Sequence, residues 1–167
     1  MNLLRKRGLK MSRHRGFTLV ELLAAMAIIG VLIATAVPVY HTWQQRAYGS
    51  EAVIMARQIL DAQISYFLDH DQFFPPGDNY YTIAHNGETT PTGVDVIGAI
   101  KDNLHIDIPT GHFLNYGFVT STEEETGEET FLLTITAYGE FELFKNSGIV
   151  SFKLDKDGQV TTMTFPE

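Results

Sequence analysis

Residues 13–40 read RHRGFTLVELLAAMAIIGVLIATAVPVY, and this stretch decides how the chain begins to fold. A basic segment ends at Gly16, and one acidic residue, Glu21, stands near the start of a long apolar run. From Leu22 to Tyr40 there is no charged residue, and a helix that crosses a bilayer needs about 20 mainly apolar residues. A charged residue at the centre of such a helix costs roughly 2.5–3.5 kcal/mol on insertion scales. Glu21 therefore needs a partner or a function.

The sequence GFTLVE at residues 16–21 resembles the cleavage and methylation motif of type IV prepilins and type II secretion pseudopilins. The resemblance implies that a prepilin peptidase cuts between Gly16 and Phe17 and methylates the new N-terminal amine of Phe17. It also implies that Glu21 pairs during assembly with the N-terminal amine of an adjacent subunit. The resemblance is specific over residues 13–45 and general over the rest of the chain.

Two simpler interpretations compete with this one. The first is a secretory signal peptide, for which residues 34–36 offer a small-residue cleavage pattern, Ala-Thr-Ala. Glu21 argues against it, because a signal core gains nothing from a carboxylate, and the helical pattern continues past Ala36. The second is a plain single-span anchor, and a pilin subunit passes through that state before it assembles.

The charges are unevenly distributed along the chain. Of 12 Lys and Arg residues, six precede the predicted cut and no acidic residue does, so the mature chain holds 6 basic and 20 acidic residues, a formal charge of −14. Basic residues beside the first apolar segment favour a leader that stays in the cytoplasm. We therefore expect a single-pass precursor in the bacterial inner membrane and then an extracellular pilus or a periplasmic pseudopilus. Few dispersed basic residues disfavour general nucleic-acid binding, and without cysteine there is no disulfide.

The pattern predicts an α+β protein in three parts: a basic leader over residues 1–16, removed on maturation; an apolar helix over 17–43, transmembrane before assembly; and a globular head over 44–167. The helix is predicted to continue to about Asp69, and its buried stripe is predicted to consist of Val53, Ala56, Leu60, Ile64 and Phe67. Arg57 and Asp61 are spaced for an i,i+4 ion pair on another face. Gly30 and Pro38 match in placement the family's helix-loosening residues, and we expect the helix to continue through them with a bend.

A long connection, residues 77–111, is predicted to follow, with a short helix over 94–104. An antiparallel sheet of three to four strands is predicted over 112–167 and packed on the helix, with strands at 112–120, 130–138, 149–154 and 159–165. Asp157-Gly158 favours a hairpin turn between the last two strands. The type IV pilin fold implied by the resemblance has the same layout.

No catalytic motif appears in the sequence, so we expect no enzymatic activity. No cofactor is expected, although Asp155 and Asp157 are weak candidates for Ca²⁺, which takes oxygen ligands, and major pseudopilins as a group carry a calcium site near the C-terminus. The acidic segment 123–129 is typical of a solvated hairpin tip; binding of a partner or a cation is the alternative.

Three functions remain open at this point. The first is a structural subunit of a type IV pilus, which polymerises through its apolar helix into a homo-oligomeric helical filament; such filaments imply cell adhesion and motility. The second is a pseudopilin of a type II secretion or DNA-uptake system. The third is a membrane-anchored enzyme or sensor. For the first two, the resemblance implies a prepilin peptidase and an inner-membrane assembly platform as partners.

Overall fold

One long helix, α1, runs from Leu19 to His70 in the computed structural model, which describes residues 16–111, 113–124, 126–139, 142–144 and 147–162. The helix continues through Gly30 and through Pro38, which lies inside it. Proline removes one backbone hydrogen bond of a helix but does not have to end it, and the continuous helix predicted from the sequence is confirmed. Contacts between Cα atoms divide the chain into two units, residues 1–40 and 41–167.

The described part of the first unit, residues 16–40, buries none of its residues. Large apolar side chains are exposed all around the helix; Leu19, Met26 and Val31, for example, are 73%, 62% and 67% exposed. A helix that is apolar on every side needs lipid or other helices around it.

In the second unit α1 has one buried face. Its buried positions there are Gly49, Ala52, Met55, Ala56, Ile59, Leu60, Gln63 and Tyr66. The predicted stripe is correct at Ala56 and Leu60, which are buried, and at Ile64 and Phe67, which are half-buried against the core. It is wrong at Val53, which is 38% exposed. The buried face follows steps of three and four residues from Ala52, and Val53 falls beside it.

The rest of the second unit is a six-stranded antiparallel sheet in the order β2-β1-β3-β4-β5-β6, with a short helix α2, Val96–Leu104. The strands are β1 Tyr80–Ile83, β2 Thr89–Thr90, β3 Leu114–Thr122, β4 Glu129–Ala137, β5 Ile149–Leu154 and β6 Val160–Thr162. The α+β class is confirmed, whereas the expected three to four strands are too few. Strands β1 and β2 lie inside the segment predicted to be a connection, 77–111. Proline and glycine surround them, and four and two residues are too few to show the alternating pattern of a strand.

The last four strands match the predicted ones within a few residues, and α2 lies within its predicted range. The predicted first position of β3, His112, and the predicted end of β6, residues 163–165, lie outside the described residues. The β5–β6 connection is five residues long, because Leu154 pairs with Val160. Gly158 adopts φ 76° in that connection, a conformation that favours glycine.

Alternate residues of the sheet form the core. The buried side chains on the central strands are Leu114, Tyr116 and Phe118 of β3, Phe131, Leu133 and Ile135 of β4, and Val150, Phe152 and Leu154 of β5. They belong to one apolar cluster with Ala52, Ile59 and other buried residues of α1. The other face of these strands is half-buried or exposed and carries mostly polar residues and glycine, with Val119, Leu132 and Ile149 among them. This is the alternation expected of a sheet with one buried face.

Candidate functional site

The candidate site is the start of α1, where the structure places Thr18 directly before the first helical residue. The backbone N–H of Glu21 donates to Thr18 Oγ1 over 3.2 Å, and the backbone N–H of Thr18 donates to Glu21 Oε2 over 2.9 Å. This reciprocal pattern is a capping box, which satisfies two backbone donors that a helix start would otherwise leave without a partner. The Thr18 hydroxyl donates a further bond to Glu21 Oε2 over 2.8 Å. The acid near the start of the apolar run therefore has a partner inside its own chain.

The two oxygens of the Glu21 carboxylate are in different situations. Both bonds from Thr18 end on Oε2. Among the described residues, Oε1 accepts no hydrogen bond, and Glu21 is exposed. One oxygen thus holds the helix start while the other is open to a donor from outside the chain.

The predicted cleavage site lies at the edge of the described region. Phe17 is 83% exposed, and Gly16 is exposed as well, with no atom within 4 Å of where a Cβ would stand. Neither residue belongs to the helix. An exposed, non-helical segment is the form in which a protease can bind a backbone, but cleavage after Gly16 and methylation of Phe17 stay predictions.

Gly30 and Pro38 lie within the helical segment and are not brought together with the capping box. A Cβ at Gly30 would meet nothing within 4 Å. The loosening role of these two residues in a filament also stays a prediction. Of the helices in the described residues, only α1 is long and apolar enough to cross a membrane, judged by length and composition.

The two weak calcium candidates lie in the β5–β6 turn, far along the sequence from the capping box. The Asp155 carboxylate accepts hydrogen bonds from the backbone N–H groups of Asp157 and Gln159, over 3.1 and 2.8 Å. Asp155 therefore already closes the turn. No group of three or more His, Cys, Asp or Glu side chains that could hold a metal ion is found among the described residues, and calcium binding stays a prediction.

The acidic β3–β4 tip is paired with the next hairpin. Lys153 Nζ lies 2.6 Å from Glu123 Oε1, and Lys156 Nζ lies 2.5 Å from Glu128 Oε1. The hydrogen bond that Lys153 donates to Glu123 lowers the pKa of Glu123, and the one that Lys156 donates to Glu128 raises the pKa of Lys156. Both pairs are partly exposed, so each contributes little to stability. The tip is therefore a solvated hairpin end, partly neutralised by its own chain.

Sequence reasoning overlooked Thr18 as a functional residue. Its signal was present, because Thr-x-x-Glu before an apolar run is the sequence signature of a capping box. The processing motif accounts for the same residues, 16–21, so the sequence analysis did not consider that Thr18 and Glu21 also cap the helix.

Known proteins are similar to part of this chain in sequence. The family described as the prokaryotic N-terminal methylation motif matches residues 11–37. A fimbrial protein of Neisseria meningitidis serogroup B (strain ATCC BAA-335 / MC58) is 42% identical over 66 residues, covering 40% of this chain and 38% of the relative. The type IV major pilin protein PilA of Myxococcus xanthus (strain DK1622) is 43% identical over 61 residues, 36% of this chain and 28% of the relative.

A longer match, over 87 residues, is to a fimbrial protein of Moraxella nonliquefaciens, which is 37% identical over 52% of this chain and 50% of the relative. The matched part spans about two fifths of the length of the first relatives. No solved structure matches the chain. The chain carries a prepilin-type N-terminal motif, and the predicted resemblance to type IV pilins is confirmed.

Proposed function

We propose that the chain is a structural, non-enzymatic subunit of a type IV pilus. The observation that carries the proposal is the combination of the prepilin motif with a helix start whose acid keeps one oxygen open. Relatives in Neisseria and Myxococcus that match part of the chain are named fimbrial protein or type IV major pilin, which favours a pilus over a pseudopilus. The subunit waits in the inner membrane and leaves it as part of an extracellular filament.

Assembly follows from the exposed surface of residues 16–40. In the membrane this surface faces lipid, and in a filament it packs against the same surface of other copies. A charge moved into such a bundle must be paired. We infer that Glu21 Oε1 accepts a hydrogen bond from the N-terminal amine of Phe17 of a neighbouring subunit, while Oε2 keeps its bonds to Thr18. A prepilin peptidase frees that amine by cutting after Gly16, and an assembly platform in the inner membrane adds the subunit to the filament.

The test separates processing from assembly. Glu21→Val leaves the neighbour's amine unpaired, and breaking a buried pair by removing one partner costs about 3–5 kcal/mol. We expect the Glu21→Val chain to be cleaved normally, to stay in the membrane and to form few filaments when it is expressed alone. Glu21→Gln keeps a hydrogen-bond acceptor and should be intermediate.

Cleavage is measured by mass spectrometry of the membrane fraction, and assembly by electron microscopy of sheared filaments. Normal filament yield from a cleaved Glu21→Val subunit would rule out the pairing. A mature N-terminus at Val37 instead of Phe17 would show a secretory signal peptide and overturn the whole proposal. Gly16→Val is the matched control for processing, since it should leave the leader attached.

A further inference from the structure

Two arginines on the outward face of α1 differ from the other basic residues that the structure describes in the mature chain. Lys101 pairs with Asp107 over 2.7 Å, and Lys153 and Lys156 pair with Glu123 and Glu128. Lys145 lies outside the described residues. Arg46 and Arg57 are both exposed, and in the described part of the chain neither forms a salt bridge.

The i,i+4 pair expected between Arg57 and Asp61 is accordingly not formed. An exposed pair of this kind contributes little to the stability of a helix, so Arg57 loses little by not forming it.

Arg46 and Arg57 lie on one stripe of the helix. They are eleven residues apart, which is three helical turns and about 16 Å along the axis. Ser50 and Val53 lie between them on the same stripe, and Ile54 lies beside it; Val53 is 38% and Ile54 58% exposed. The stripe therefore offers a cation at each end with apolar surface between them. We call it the arginine stripe.

A groove with a volume of about 710 Å³ lies along the Arg46 end of this stripe, and Arg57 lies beyond it. Its lining includes Arg46, Ser50 and Val53 of α1, and Leu143 and Phe144 from the segment before β5. Its walls are mainly apolar, and Arg46 supplies a positive charge. Such a groove suits a protein surface that presents acidic side chains next to apolar ones.

We propose that the arginine stripe binds the acidic surface of a second copy of this chain, an inference that rests on the proposed function. The mature chain has a formal charge of −14, so copies packed in a filament repel one another unless cations are placed at the contacts. Charge complementarity steers such contacts and fixes their register. The arginine stripe supplies two cations that no carboxylate of the described chain neutralises.

An anionic lipid headgroup is a different source of negative charge. The headgroup layer on one side of a bilayer is about 5–8 Å thick. The two arginines are about 16 Å apart along the helix, so when the helix crosses the membrane one lipid layer does not reach both. A second copy extends far enough to contact both ends of the stripe.

The experiment compares two double charge reversals in the full-length chain, expressed in a bacterium that assembles the wild-type chain into filaments. R46E/R57E reverses the stripe. K101E/K156E makes the same change in net charge at two cations that are already paired elsewhere, and serves as the matched control. We expect R46E/R57E to lower the yield of sheared filaments by at least about tenfold, since like charges then meet at the contact. The control should stay within about twofold of wild type, because exposed pairs contribute little.

A second measurement locates the contact. In R57K the substituted lysine can be joined to a neighbouring carboxylate by a zero-length carbodiimide reagent. Filaments are assembled from a mixture of isotopically labelled and unlabelled subunits and cross-linked, and their peptides are analysed by mass spectrometry. Cross-links from the lysine at position 57 that join a labelled to an unlabelled peptide support the proposal. Cross-links only within one copy overturn it.

The outcomes separate this inference from the proposed function. If the wild-type chain forms no filaments, the proposed function fails and the inference fails with it. If wild type and R46E/R57E form filaments equally well, only the inference is overturned. If processed R46E/R57E subunit is lost from the membrane fraction before assembly, the stripe acts on lipid, and the contact between copies is overturned as well.

Discussion

At the scale of the residue, the carboxylate of Glu21 combines two demands. A helix start leaves backbone N–H groups without partners, and a carboxylate in an apolar segment is itself unfavourable. The hydrogen bonds between Thr18 and Glu21 reduce both costs. The carboxylate accepts the backbone N–H of Thr18, which would otherwise have no partner, and the same bonds stabilise the charge of the carboxylate. Since these bonds occupy one oxygen only, the same residue remains able to receive a partner from outside.

The capping role of Thr18 can be measured in the mature chain in detergent micelles. Thr18→Ala removes the acceptor of the Glu21 N–H, and loss of an N-cap costs about 1 kcal/mol. The exchange of the Glu21 amide hydrogen should become about fivefold faster, as follows from that free energy. Thr18→Ser keeps the hydroxyl and should exchange like wild type. An unchanged rate in Thr18→Ala would show that the cap does not hold the helix start.

Gly49 is a residue that cannot be replaced without a steric clash. A Cβ at this position would lie 2.6 Å from the backbone oxygen of Leu143. Gly49→Ala gains about 1 kcal/mol of helix propensity, but overpacking costs typically 1–3 kcal/mol, and a backbone atom cannot easily move aside. We expect a lower midpoint of thermal unfolding for the second unit in Gly49→Ala. Gly30→Ala, in the same helix but with open space around it, should leave that midpoint unchanged; equal midpoints for all three chains would contradict the packing argument.

At the scale of the element, the connection between α1 and β1 is held by side chains from elsewhere. The buried Gln63 amide binds the backbone of Phe74 twice: its Nε2 donates to the Phe74 oxygen over 2.5 Å, and its Oε1 accepts the Phe74 N–H over 3.0 Å. Glu129 of β4 accepts the N–H of Phe73 over 3.0 Å. The Thr120 hydroxyl of β3 donates to the oxygen of Pro75 over 2.7 Å. Helix and sheet thereby hold the segment that joins them.

Removing the Gln63 amide tests this arrangement. Gln63→Leu has similar volume but leaves a buried N–H and a buried C=O of Phe74 without partners, at about 1–3 kcal/mol each. The free energy of unfolding, measured by urea titration, should fall by about 2–6 kcal/mol. Gln58→Leu changes the same residue type at an exposed position of the same helix, and surface changes stay within about 0.5 kcal/mol. If both substitutions had the same small effect, Gln63 would not hold the connection.

The same connection should make stability depend on pH through Glu129. Burial raises the pKa of the Glu129 carboxyl above its ordinary value of 4.5, the bond from Phe73 N–H opposes the shift, and Asp78 and Asp71 add to it. A raised pKa means that the folded state binds the proton more tightly than the unfolded state. The contribution of Glu129 to stability is therefore full below pH 4.5 and is lost as the pH rises through the folded pKa.

Glu129→Gln keeps the acceptor for Phe73 N–H without the charge. Its free energy of unfolding should exceed that of wild type by an amount that grows as the pH is raised from 4.5 and levels off above the folded pKa. Urea titrations of both chains from pH 4 to pH 7 measure this difference. A constant difference across that range would show that Glu129 has no raised pKa in the folded chain.

Elements with strong patterns were predictable from the sequence, and short ones were not. Helix α1 and strands β3 to β5 follow from long periodic or β-branched runs. Strand β2 has only two residues, and β1 has four, too few for a period to show. They exist because β3 offers β1 an edge to pair with, which is a tertiary effect that no local pattern contains. The bonds of Gln63 and Glu129 across 11 and 56 residues were unpredictable for the same reason.

At the scale of the whole molecule, the apolar residues serve two different purposes. Every buried apolar side chain of the described core lies between Ala52 and Leu154, inside the second unit. The apolar residues of 16–40 add nothing to that core, since none is buried. The sequence predicted this division through the charge-free run and the later amphipathic stripe. The exact placement of that stripe depends on which helix face the sheet covers, which the sequence does not contain.

This division leads to a prediction about a fragment that starts at Gln44. It retains the whole buried cluster and all six strands, and it has 19 acidic and 6 basic residues. A net charge well away from zero favours solubility, and a domain of this size buries enough surface to fold by itself. We expect a soluble monomer with a cooperative thermal transition by circular dichroism and slow amide exchange on β3 and β4. Removal of residues 17–43 should leave the free energy of unfolding of this unit nearly unchanged, because no core contact is lost. If the fragment is disordered, the core requires the apolar helix, and the head is not an independent domain.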